Sequence, residues 1–377
     1  MKIKFSLAIY YCLVILCLSG CSIDLDRPAI ATPSAEGVSP TFSPEVSPDN
    51  ATPVALTTTI PVTWSGLNLT GSLVYTSAPL TGDVSFFKSI EKLDLTTGEI
   101  TPIFTTTGND WIFYMSISPD ARQLVMSYTP ATQPGSASNR ALYIMPLDAT
   151  TPPRPLFPLP TPDDHYTQAE WSPDGKYIYY AHYNENDKPD AQLNPAYDIF
   201  RISYPNGVPE KIADRAFWPR LSSDSARLVY VSLDPVTGSN ELVIANADGS
   251  NAQVISGSSI PDLIDAPIFS PDGQSILFSA PGPVQSYQPK WFDKLMGVRI
   301  VKAHNVPSDW WRVPISGGAP TRLTQLQTIN LFASISPDKK HLASLSGEGI
   351  FVMDLDGSNL TRLLFDPGVS GTVSWIP

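Results

Sequence analysis

The sequence predicts an all-β chain folded as a six-bladed β-propeller of four-stranded blades. Three observations carry this: a turn motif that returns through the chain, a strand-and-turn motif in step with it, and two chain ends that each hold part of one blade. A unit repeated along a chain means stacked copies of one supersecondary element, so the repeat decides the architecture before any local reading does.

The first motif is clearest at Trp171-Ser172-Pro173-Asp174-Gly175. It returns as Ser118-Pro119-Asp120, Ser222-Ser223-Asp224, Ser270-Pro271-Asp272 and Ser336-Pro337-Asp338, and a sixth copy is begun at Val373-Ser374-Trp375. Proline presets one dihedral of a tight turn, aspartate bonds the local backbone, and glycine accepts a positive φ at the exit. Ala121, Ser225 and Lys339 stand where that glycine is expected, which predicts another turn type at those three places. Short runs rich in β-branched and aromatic residues follow the turns, such as Tyr177 to His182 and Leu228 to Ser232, and they read as buried strands.

The second motif is a strand and turn of constant shape, at Ser89 to Gly98, Arg140 to Ala149, Asp198 to Gly207, Asn240 to Gly249, Asp309 to Gly318 and Glu348 to Gly357. Most copies end in a polar residue and glycine, the hairpin signal, and a further short strand follows. Both patterns count the same six units. Gly71 to Ser77 matches the strand that normally follows the turn motif but lacks its inner partner, and Thr372 to Pro377 is a partner of that type. Pairing the C-terminal strand with the first N-terminal strands closes the ring and removes sheet edges that invite aggregation.

Together, the Trp-Ser-Pro-Asp-Gly turn and the Asp-x-Asp-Gly-Ser-Asn hairpin, seen at Asp354 to Asn359 and nearly so at Asn246 to Asn251, resemble TolB-type β-propeller repeats. The resemblance covers residues 67–377. It implies a propeller fold and is almost silent on function, because similar propellers occur in TolB, in the non-catalytic domains of prolyl-oligopeptidase-type peptidases and in bacterial lipoproteins.

Ahead of the repeats, Lys2 and Lys4 precede an apolar run from Phe5 to Leu18 that ends in Leu18-Ser19-Gly20-Cys21. This is the pattern of a secretory signal, residues 1–20. Small residues before a cysteine at its end resemble a bacterial lipobox, which makes Cys21 the lipidation site. All three cysteines, Cys12, Cys17 and Cys21, lie at or before that point, so the folded part has no thiol. Residues 21–66 are rich in Pro, Ser, Thr and Ala without hydrophobic periodicity, and read as a lipidated tether. At about 3 Å per residue a linker of about 40 residues spans on the order of 100 Å.

The net charge of −12 disfavours nucleic acid, because phosphate binding needs a basic footprint. It also argues against electrostatic adhesion to anionic lipid and leaves the acyl chains at Cys21 as the membrane contact. The catalytic search finds no Gly-x-Ser-x-Gly elbow, no His-Glu-x-x-His and no cysteine in the folded part, so no enzyme activity, cofactor or metal is expected. Asp354 to Asn359 begins like a calcium loop, but Phe365 stands where the closing glutamate belongs, and it reads as a hairpin turn.

Binding is therefore expected on loops. Connections between the outer strand of one blade and the inner strand of the next share a face with the loops between second and third strands, and loops on a rigid scaffold are where recognition usually resides. Trp111, His165, Tyr166 and Trp218 fall on that face as candidate ligand contacts. Beside them lies the insertion 281–308, basic and aromatic on an acidic protein, with Trp291 and Arg299 as further candidates. Two alternatives stay open: the four aromatic side chains begin inner strands and are buried between blades, and the insertion packs on its own blade. The smaller insertion, Tyr183 to Tyr197, is polar and reads as a solvated loop.

The leading expectation is a monomeric, surface-anchored extracytoplasmic lipoprotein of the cell envelope whose propeller binds or scaffolds a protein, peptide or glycan. An envelope-assembly component analogous to TolB and a propeller enzyme acting on polysaccharide are the alternatives.

Overall fold

The repeats fold into antiparallel sheets, of four strands in five cases and of five strands in the sheet that holds both ends of the fold. The computed structural model describes residues 57–78, 88–106, 110–130, 140–157, 161, 163–184, 186, 197–234, 239–255, 263–282, 306–365 and 369–377. Cys21, most of the tether, Trp291 and Arg299 lie outside the described residues. There are six sheets, and they are the six blades the repeats count.

Blades are numbered here along the chain, with blade 1 holding both ends. Their inner strands are Val369–Ile376, Trp111–Ile117, Asp164–Trp171, Ala216–Leu221, Asp265–Phe269 and Phe332–Ile335 for blades 1 to 6. The second strands are apolar on both faces, as at Leu73 to Tyr75, Ile178 to Ala181 and Leu228 to Val231, because each blade is covered by a neighbour on either side. Full burial of each such large side chain contributes roughly 1.5–3 kcal/mol. Outermost strands are short, only two residues at Arg154–Pro155, Gln253–Val254 and Thr321–Arg322, which blunts the exposed edges.

The turn motif repeats atom for atom. The serine hydroxyl is buried, donates to the aspartate Oδ1, and accepts from the backbone N–H five residues on, at 2.8 Å for Ser118 and 2.9 Å for Ser172, Ser222, Ser270 and Ser336. The residue after the aspartate is left-handed in all five, with φ of 54° at Ala121, 70° at Gly175, 58° at Ser225, 65° at Gly273 and 62° at Lys339. The expectation of a different turn at Ala121, Ser225 and Lys339 is thus corrected. The serine and aspartate bonds over-determine the loop and hold a side chain where it costs about 1–2 kcal/mol. The Asp354 to Asn359 segment is a hairpin turn in which Asn359 Nδ2 donates to Asp354 Oδ2 at 2.7 Å.

Ring closure is direct. Val369–Ile376 pairs antiparallel with Ser72–Ser77, Leu73 opposite Trp375 and Tyr75 opposite Val373. Gly71 is the hinge of this junction: its φ is +82°, and a Cβ there would stand 2.2 Å from the Ile376 carbonyl oxygen.

The folded unit starts earlier than residue 67. Thr58–Thr59 pairs with Ile100 and Glu99 as a fifth strand on blade 1, and Trp64 is 2% exposed with its Nε1 donating to the Leu95 carbonyl at 2.8 Å. Residues 57–66, expected as tether, are therefore part of the blade. The Pro and Thr content of the segment hid a single buried indole that fixes it.

Removing Thr372 to Pro377 should lower the melting temperature by more than about 10 °C or abolish cooperative unfolding. The truncation strips Val373 and Trp375 from the core, about 5 kcal/mol or more against a total of about 5–15. Circular dichroism on heating checks this, and an unchanged transition would show that the terminal strand is dispensable for closure.

Candidate functional site

Four residues before each turn serine the chain reaches the propeller axis, and the six blades place Tyr114, Gln168, Trp218, Ala266, Phe332 and, counted from Ile376, Thr372 there. Large and small alternate round the ring. The three aromatic rings come from blades 2, 4 and 6 and meet across the axis: Tyr114 to Trp218 at 5.0 Å, Trp218 to Phe332 at 5.1 Å and Tyr114 to Phe332 at 5.6 Å. The two contacts of Tyr114 are edge-on, a favoured geometry for aromatic pairs, and the Trp218 to Phe332 contact is tilted. They form a plug, and burial pushes the Tyr114 hydroxyl well above the usual tyrosine range.

The polar members of the same ring hold the next blade. Gln168 Oε1 accepts from the Trp218 backbone N–H at 2.8 Å, and Thr372 Oγ1 accepts from Met115 N at 2.8 Å and donates to Met115 O at 3.0 Å. Asp265 Oδ1 accepts from Trp218 Nε1 at 3.2 Å. Two residues further along, Glu170 and Arg220 pair at 2.6 Å between blades 3 and 4.

Trp218 is therefore not an exposed contact. At 6% exposure it is buried against Tyr114 and Phe332. Trp111 and His165 occupy equivalent places at the start of inner strands 2 and 3 and stay partly exposed on the loop face. The Trp111 ring lies 4.5 Å from Phe113, and the Arg140 guanidinium stands 4.0 Å over Phe113 and 5.4 Å from Trp111. His165 stacks on Tyr183 at 5.7 Å, and Tyr183 contacts Tyr197 at 5.7 Å. Tyr166 turns into the gap between blades 2 and 3, against Phe157 at 5.0 Å and His182 at 4.5 Å.

Of the sequence candidates, the structure thus leaves Trp111 and His165 at the channel mouth, folds Tyr166 half into the core and buries Trp218. Sequence reasoning missed Arg140, Tyr183 and Tyr197. Arg140 opens a third strand, and the two tyrosines bound the insertion read as a solvated loop. A cationic residue at the first position of a repeat, where the other copies hold Ser, Asp, Asn or Glu, was the available signal.

Beside this cluster, Asp164 accepts from Thr161 Oγ1 at 2.6 Å, Asn184 Nδ2 at 2.7 Å and His182 Nε2 at 2.9 Å. Burial opposes its ionisation, but these donors outweigh burial and hold the carboxyl down from 3.8 to about 2. The arrangement satisfies one carboxylate and stitches the loop at Thr161 to the second strand of blade 3. Among the described residues no three His, Cys, Asp or Glu side chains converge to hold a metal ion.

On the loop face, Trp111 and Phe113 thus form an aromatic surface with the Arg140 guanidinium laid on it. Such a surface offers stacking area and charge-assisted donors to a ligand's planar or acidic groups.

The fold is a six-bladed β-propeller, and the TolB propellers share it. The chain is similar to TolB from Acinetobacter baumannii, with 15% identity and a TM-score of 0.57 over 81% of this chain and 67% of that one. It is also similar to the putative TolB from Agrobacterium tumefaciens, at 18% identity and a TM-score of 0.54 over 78% and 99% of the two chains. A chain of the nidogen/laminin complex aligns at 11% identity with a TM-score of 0.55, over 81% of this chain and 98% of that one. At these identities the likeness is one of fold. No protein-family model matches the chain.

Two outcomes follow from the placement of these side chains. Trp218→Ala should cost about 3–5 kcal/mol of stability by opening a cavity on the axis, whereas Trp111→Ala should cost about 1 kcal/mol or less; denaturant titrations compare them. The Asp164 contribution is present in full above about pH 4, because the folded carboxyl titrates below the unfolded one, and it is lost as pH falls through about 2. Melting temperatures of wild type and Asp164→Asn should therefore converge on acidification from pH 5 to pH 2, and a constant difference would remove the assignment.

Proposed function

We propose that this chain is an extracytoplasmic lipoprotein of the cell envelope, held through Cys21, whose propeller captures a protein, peptide or glycan partner at the channel mouth on the loop face. The observation that carries the reading is Arg140 laid over Phe113 and Trp111 on the loop face. Rigid aromatic surfaces give large contact area at low entropic cost, and arginine and tryptophan are over-represented among residues that dominate binding energies. The signal pattern before Cys21 and the acidic remainder support attachment by acyl chains, and among the described residues no helix is long and apolar enough to cross a membrane. TolB-like folds among the similar structures support an envelope role, and the likeness to a chain of the nidogen/laminin complex supports protein capture.

The test is capture from solubilised native envelope by the full chain. Wild type should retain a defined partner, and Trp111→Ala with Arg140→Ala should lose at least tenfold in retention while keeping its melting temperature within a few degrees. A folded double variant that retains the partner in full would move the site elsewhere. In cells, Cys21→Ala should shift the protein from the membrane to the soluble fraction, and membrane retention of that variant after high-salt washing would overturn the anchor.

A further inference from the structure

On the opposite face, that of the turns, neighbouring blades leave clefts, and three successive clefts are treated differently. Between blades 3 and 4 the gap is bridged by Arg201. It donates through Nε to Glu210 at 2.8 Å and through Nη1 to the Ala247 carbonyl of blade 4 at 3.2 Å and to Tyr179 Oη at 3.4 Å. Between blades 4 and 5 Arg227 bridges the gap by donating to the Gly273 carbonyl at 3.0 Å.

Between blades 5 and 6 the cleft is open, with a volume of about 650 Å³. The repeat explains why. Arg312 stands three residues after Asp309 as Arg201 stands three after Asp198, so the two arginines are equivalent. Arg201 lies opposite Tyr179 on one neighbouring strand and Glu210 on the other. Arg312 lies opposite Leu277 and Thr321. The two side chains that accept from Arg201 are thus replaced, one by a leucine with no acceptor and the other by a threonine with no charge.

Lys339, Lys340 and His341, on the turn and second strand of blade 6, line the same cleft. Among the described residues no carboxylate lies within ion-pair distance of Arg312, Lys339 or Lys340. The carboxylates in the lining are already accepting: Asp272 from Ser270 and Gln274, Asp354 from His341 and Asn359, Asp356 from Ser358. The cleft thus holds three cations that make no ion pair, with the carboxylates of Asp272, Asp354 and Asp356 in the same lining.

We propose that the cleft between blades 5 and 6 binds a phosphate group, with Arg312 as its principal donor and Lys339 and Lys340 beside it. A tetrahedral dianion presents acceptors in several directions and meets donors arriving from two blades, which a planar monocarboxylate does not. The phosphate is either free or carried as an ester on a larger molecule.

Calorimetric titration of the full chain at low ionic strength tests this with inorganic phosphate, glycerol 3-phosphate and acetate. Saturable binding of either phosphate is expected, weakened at least tenfold by Arg312→Gln and unaffected by Arg201→Gln. Tighter binding of inorganic phosphate assigns a free ion, and tighter binding of glycerol 3-phosphate assigns an ester. Thr321→Glu supplies the cross-strand carboxylate that Arg201 has, and should suppress binding as strongly as Arg312→Gln with every cation left in place. The proposal is overturned if neither phosphate saturates, if acetate binds as tightly, or if folded Arg312→Gln and Thr321→Glu both bind as wild type does.

Discussion

Every other feature of this protein depends on the pairing of its two ends. Blade 1 takes its inner strand from Val369–Ile376 and its remaining strands from the first part of the fold, so the ring exists only when Leu73 and Trp375 are opposite one another. The axial plug follows from that closure. Tyr114, Trp218 and Phe332 come from alternate blades and reach each other only if all six inner strands stand at one radius. The interblade bonds of Gln168 and Thr372 and the Glu170 to Arg220 pair belong to the same geometry, since each reads the spacing between adjacent blades. Local turns set the blades, but long-range pairing sets the circle.

The fold was legible because its punctuation is chemical. A serine hydroxyl that accepts a backbone N–H and donates to aspartate leaves the same residues at each copy, and the alternation of turn and hairpin counts strands. What was not legible depended on distance. Ala121, Ser225 and Lys339 looked like departures because glycine is the cheap left-handed residue, yet the two side-chain bonds hold the conformation without it. Trp64 sat in a segment whose composition read as tether, and no periodic signal marks one isolated anchor.

The candidate site was legible in its location and less so in its members. Aromatic residues before the inner strands were identified from the repeat, but Trp218 stands four residues before its turn serine and is buried, while Trp111 stands seven before its own and stays partly exposed, a difference of three residues in register. Arg140 and Tyr197 join the mouth through strands that are remote in sequence from Trp111. Comparing equivalent positions across blades was the more productive reading, since it separates what the scaffold demands from what one blade keeps for itself. Arg201 and Arg312 illustrate it: the first faces a tyrosine and a glutamate across the strands, and the second a leucine and a threonine.

The way the chain enters the propeller has a mechanical consequence. Thr58–Thr59 is the outermost strand of blade 1, held by a two-residue pairing, and behind it come the Ile60 to Gly98 backbone bond and the buried indole of Trp64. Tension applied to the chain ahead of Thr58 meets these contacts one after another, as a zipper does, before any force reaches the strand that joins the two ends. The contacts that hold the first segment are separate from those that close the ring, so the load on one need not pass through the other.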